Sequence, residues 1–160
     1  MNDVDIAANY RQLRESVPDN VTIVGATKTR SAQEIREAIG AGLGVIGENY
    51  AQEAQKKRAA LDDTADEAEW HLIGHLQRNK INKALPLFDV IQTIDSPRLA
   101  KGISKRAEKP VTGFIQVNIA GEESKYGVEP DRAFELAELV SELPGIDLKG
   151  LMTMEPYFED

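Results

Sequence analysis

Val21-Thr22-Ile23-Val24-Gly25-Ala26-Thr27-Lys28 is an apolar run rich in β-branched residues that closes on a lysine. Such a run predicts a buried strand over residues 21–26. Before it, an amphipathic stretch over about residues 4–17 predicts a helix, and Pro18-Asp19-Asn20 makes the turn between the two. After it, Ser31 with Glu34 three residues on forms a capping box that opens a helix over 32–41. Gly42 and Gly44 sit where that helix stops, and a second strand over 45–47 follows.

The pattern then repeats, with helices expected over 50–61, 77–85, 96–107 and 130–143 and strands over 69–73, 90–94, 111–118 and 148–152. Residues 62–67, Asp-Asp-Thr-Ala-Asp-Glu, read as a solvated polar loop. The strand starts at 21, 45, 69, 90, 111 and 148 are mostly 21 to 24 residues apart. That is close to the shortest unit that fits a strand, a helix and two loops, so the strands are expected to be parallel. A uniform βα rhythm either closes into a (β/α)₈ barrel or stays open as a doubly wound sheet.

The 160 residues are 41% hydrophobic and 29% charged, the balance of one globular domain over 1–160. A net charge of −8 argues against a phosphate-backbone binder, so no nucleic-acid partner is expected. The absence of cysteine excludes a disulfide framework, a thiolate metal site and a cysteine nucleophile. No stretch approaches the roughly 20 apolar residues of a membrane span, and the N-terminus lacks the basic and apolar regions of a signal peptide. A cytoplasmic protein with no membrane partner is the expectation.

Gly42-Leu43-Gly44-Val45-Ile46-Gly47 matches the dinucleotide pattern G-x-G-x-x-G, but its order is reversed. It follows a helix and leads into a strand, so the glycines read as helix-cap and loop residues. His71 and His75 lack the Glu of H-E-x-x-H and any third ligand, so no metal is assigned.

Lys28 stands immediately past an apolar strand, at the end where α/β proteins bind ligands. A lysine held against that rim is expected to be partly desolvated and nucleophilic toward a carbonyl carbon. The alternative is a solvent-exposed lysine that simply begins a loop. By the same criterion Glu48, Asn49, Gly74, His75, Asp95, Ser96, Asn118 and Thr153 stand at strand ends. Ser96 before Pro97 is better explained as a helix cap, and turn chemistry suffices for Asp95.

Six motifs in order carry a resemblance: Val24-Gly25-Ala26-Thr27-Lys28-Thr29, Gly47-Glu48-Asn49-Tyr50, the run from His71 to Lys80, Gln116-Val117-Asn118, Gly121-Glu122-Glu123-Ser124-Lys125-Tyr126-Gly127 and Gly150-Leu151-Met152-Thr153-Met154. Together they resemble the pyridoxal phosphate homeostasis proteins. The resemblance implies the barrel of alanine racemase without its second domain, and pyridoxal 5′-phosphate held as a Schiff base without established turnover. It implies that Lys28 is the aldimine lysine, that Asn49 lies beside the cofactor ring, and that Met152 and Thr153 are pocket-wall positions. Asn118 carries over more weakly. His75 belongs to a motif that either touches cofactor or shapes the rim, and 122–125 reads as a mobile rim loop. No catalytic residue is assigned.

Family members continue past residue 160 with strands seven and eight, loops that hold the phosphate and an arginine facing the pyridine nitrogen. The chain is therefore expected to be a fragment, an incomplete barrel of about six βα units. Two bare sheet edges would favour self-association or a complementing C-terminal fragment, and cofactor binding would be weakened. The leading expectation is a binding protein of vitamin B6 homeostasis. The alternatives are a racemase-like enzyme, which would need an acid/base group from a partner, and a fragment that no longer binds cofactor.

Overall fold

The computed structural model describes residues 4–121 and 126–154. It divides into two compact units, Met1–His71 and Leu72–Asp160. The first holds α1 (Ile6–Ser16), β1 (Gly25–Ala26), α2 (Ala32–Gly40), β2 (Val45–Glu48), α3 (Ala51–Leu61) and most of β3 (Glu69–Leu72). The second holds α4 (Ile81–Ala84), β4 (Val90–Ile94), α5 (Pro97–Arg106), β5 (Val111–Val117), α6 (Ala133–Ser141) and β6 (Ile146–Thr153). The strands follow the order β1-β2-β3-β4-β5-β6. β1 and β2 pair in parallel, as do β4 with β5 and β5 with β6. This is an α/β fold of six strands alternating with helices, an incomplete (β/α)₈ barrel.

Local chemistry sets most boundaries. The Ser31 hydroxyl accepts from the Glu34 amide while the Glu34 carboxylate accepts from the Ser31 amide, completing the predicted capping box. These bonds, the amide foremost, hold the Glu34 carboxyl below its ordinary pKa. Ser96 caps α5, accepting from the Leu99 amide at 3.3 Å, with Pro97 in the first turn. Gly42, with φ of 108°, turns the chain out of α2 in a conformation that favours glycine.

Three expectations need correction. β1 was expected over 21–26 but pairs only at Gly25 and Ala26; at the start of that span the Val21 carbonyl is taken by the Arg14 guanidinium, which also holds the Val17 and Pro18 carbonyls of the preceding turn. Residues 62–67 form a 3₁₀ helix, not an open loop. Its buried Ala65 accepts a hydrogen bond from the Trp70 indole at 2.9 Å. The helices expected over 77–85 and 130–143 each open with a 3₁₀ turn before α4 and α6.

The core of the first unit is built from Ile35, Ile39, Leu43, Ile46, Leu61 and the fully buried Trp70. That of the second gathers Ile81, Ile91, Ile94, Ile103, Ile115 and Val140. Gly145 lets the start of β6 approach α5, since a Cβ there would lie 2.5 Å from the Ser104 carbonyl oxygen. No helix among the described residues is long and apolar enough to cross a membrane.

Candidate functional site

In the first unit, Ala26 pairs with Gly47, so Thr27 and Glu48, then Lys28 and Asn49, leave β1 and β2 at matching positions. Successive side chains on a strand point to opposite faces. Thr27 is buried and Lys28, one residue on, is exposed. The expected packing of Lys28 against an apolar rim is therefore not observed. The inward position belongs to Thr27, and β1 is too short to carry its neighbour under cover. Lys28 makes no hydrogen bond or ion pair among the described residues. Asn49 is half-buried beside it at the end of β2.

Beneath Lys28 lies a buried polar cluster. Glu48 is 0% exposed, and its Oε1 accepts from the Thr27 hydroxyl and, at 2.5 Å, from the Lys57 ammonium on α3. Lys57 also donates to the Thr27 carbonyl oxygen at 2.7 Å. The same oxygen accepts the Arg30 amide at 2.9 Å, and the Thr27 amide donates to the Gly47 carbonyl at 3.0 Å. Thr29, just past Lys28, has a φ of 66°, a left-handed conformation unfavourable for a β-branched residue. Sequence reasoning placed Glu48 at a strand end but missed Lys57. The available signal was a carboxylate closing the apolar run Val45-Ile46-Gly47, where burial demands a counter-charge.

In the second unit, Val117 pairs with Thr153 and Gln116 with Met152, which brings Asn118, Met152 and Thr153 to the carboxyl ends of β5 and β6. The Thr153 hydroxyl donates to the Val117 carbonyl at 3.0 Å. Asn118 and Met152 are half-buried, whereas Thr153 is exposed. The chain beyond β5 returns to this rim, where the Asn118 amide donates to the Val128 carbonyl at 2.9 Å.

The His75 ring stacks on Tyr126, with centroids 3.7 Å apart and planes inclined by 8°. Its Nδ1 lies 3.4 Å from the Asp95 carboxylate, so Asp95 faces an imidazole beyond its own turn. His71, by contrast, is buried with Nε2 2.5 Å from Glu69. Residues 122–125, expected as a rim loop, lie outside the described residues.

Six strands alternating with helices define an α/β protein of the barrel type, and comparison with known proteins narrows the class. The sequence model described as "Alanine racemase, N-terminal domain" matches residues 3–160. A pyridoxal phosphate homeostasis protein of Aquifex aeolicus (strain VF5) is 44% identical over 141 residues, covering 86% of this chain and 61% of that protein. Its counterpart in Escherichia coli (strain K12) is 37% identical over 164 residues, covering 94% and 70%. The chain belongs to the pyridoxal phosphate homeostasis protein family, within the wider alanine racemase N-terminal domain family.

Among solved structures, PipY of Synechococcus elongatus PCC7942 with pyridoxal phosphate bound matches with a TM-score of 0.84 and 34% identity, covering 96% of this chain and 72% of PipY. Alanine racemase of Clostridium difficile 630 matches with a TM-score of 0.76 at 16% identity, a likeness of fold alone. The chain spans 61% of the Aquifex relative and 64% of one from Vibrio alginolyticus.

Proposed function

We propose that this chain binds pyridoxal 5′-phosphate through a Schiff base on Lys28 and serves vitamin B6 homeostasis in the cytoplasm. The observation that carries the reading is Lys28 itself, an exposed, unengaged amine at the carboxyl end of β1. PipY, 34% identical, has been solved with this cofactor bound, which supports the reading. An amine of this kind attacks the aldehyde carbon, and loss of one water leaves the imine; attack by water or a second amine reverses the step. Asn49 supplies an amide alongside, and Asn118, Met152 and Thr153 are proposed as further cofactor-binding residues. The family match runs through both units, which supports reading 1–160 as one domain.

The test is to add pyridoxal phosphate, reduce with borohydride and map the labelled peptide. Labelling is expected at Lys28, and labelling confined to other lysines would overturn the assignment. Incubation with L-alanine is expected to yield no D-alanine, because capture and release need no second acid/base group.

Self-association, or pairing with a complementing C-terminal fragment, is proposed on separate grounds. Phe134, Leu151 and Met154 of the second unit are large apolar side chains 74%, 60% and 59% exposed, which contact with another chain would cover. Light scattering at increasing concentration is expected to show species heavier than one chain; a monomer throughout would refute self-association.

A further inference from the structure

We propose that Lys57 is a positioning residue for Lys28, acting through the Thr27 carbonyl. The proposal rests on Lys28 being the capturing amine. Thr27 has one amide, one carbonyl and one hydroxyl to satisfy, and all three are engaged. The amide donates to Gly47 and the hydroxyl donates to Glu48, while the carbonyl oxygen accepts from both Arg30 and Lys57. That oxygen belongs to the peptide joining Thr27 to Lys28. The Lys57 ammonium is held in turn by the fully buried Glu48 carboxylate at 2.5 Å, with Glu53 4.0 Å away.

On the far side of Lys28, Thr29 keeps its φ of 66°. A β-branched residue in this region is strained by about 1–3 kcal/mol and persists only where its surroundings over-determine the backbone. The Arg30 amide bond to Thr27 closes a turn around the strained residue, and Lys57 braces the acceptor of that bond. Lys28 is thus fixed in its main chain on both sides while its own side chain is unengaged.

This arrangement divides two neighbouring lysines by role. The Lys57 ammonium is committed to Glu48 and Thr27, with its side chain 12% exposed, so it is withdrawn from nucleophilic chemistry. Lys28 carries no such commitment. Placement of a reacting group before the encounter removes part of the ordering cost of bond formation, so loosening the peptide slows capture without altering the amine.

The test uses the double variant Glu48→Gln/Lys57→Met, which removes the bond to the Thr27 carbonyl without leaving a lone buried charge. With added pyridoxal phosphate, imine formation at Lys28 is expected to slow about tenfold, the scale of one lost charge-assisted hydrogen bond. Hydrogen exchange at the Arg30 amide is expected to quicken by about as much, while the Glu69 amide, bonded to Gly44, keeps its rate. Lys57→Arg, which retains a cation able to donate to both acceptors, is expected to restore the capture rate. An unchanged Arg30 exchange rate in the double variant would overturn the proposal with no cofactor present. So would unchanged capture at Lys28, measured well below the unfolding midpoint. If the parent chain is labelled elsewhere, the proposed function fails, and Arg30 exchange still decides whether Lys57 braces this turn.

Discussion

Lys57→Met alone is expected to destabilise the chain by about 3 kcal/mol, the lower end of the range for removing one partner of a buried ion pair. The reason lies in what stays behind. Glu48 is 0% exposed, and its Oε2 has no hydrogen-bond partner among the described residues, so the carboxylate depends on what reaches Oε1. Methionine leaves only the Thr27 hydroxyl there. The lower end applies because the Lys57 side chain is 12% exposed and water screens the pair in part. Adding Glu48→Gln is expected to recover most of the loss, since a neutral amide of the same shape needs no counter-charge. Urea unfolding of the parent, single and double variants measures this. A single variant as stable as the parent, or a double variant no better than the single, would contradict the account.

Trp70→Ala is expected to cost about 3–5 kcal/mol, the range for emptying an aromatic site in a core. Trp70 is 0% exposed, lies 5.1 Å from the Arg58 guanidinium and gives its indole proton to the Ala65 carbonyl. Truncation opens a cavity in the first unit and also strips the Ala65 carbonyl, at the buried middle of the 62–67 segment, of its donor. Trp70→Phe keeps much of the volume and is expected to fall between the parent and Trp70→Ala. A midpoint shift in urea with an unchanged slope is the signature of lost stability within a two-state transition. A cost below about 1 kcal/mol for Trp70→Ala would mean that this core collapses around the gap.

The sequence was most informative where its signals were local. Ser31 with Glu34, and Ser96 with Pro97, announce helix starts because the bonds concerned span three residues. Gly42 announces a stop for a similar reason, and the βα rhythm announced a parallel sheet. What escaped depends on contacts that no short window contains. At the start of the expected first strand the Val21 carbonyl goes to Arg14, seven positions back, and not to a neighbouring strand. The 3₁₀ form of 62–67 depends on Trp70 reaching back to Ala65. The exposure of Lys28 was hidden because a strand of two residues leaves little alternation to read, and Thr27 takes the inner position. Lys57 was hidden more deeply, since its partners lie 9 and 30 positions away in the chain.

With every polar atom of Thr27 committed, the freedom left at this rim belongs to one aliphatic tether. On the proposed reading, an incoming aldehyde meets a side chain hung from a fixed main chain, not a loop that must first be gathered in. Freezing those rotors upon bonding costs far less entropy than ordering a whole segment, so a rigid anchorage can lend reach to an amine that water still surrounds.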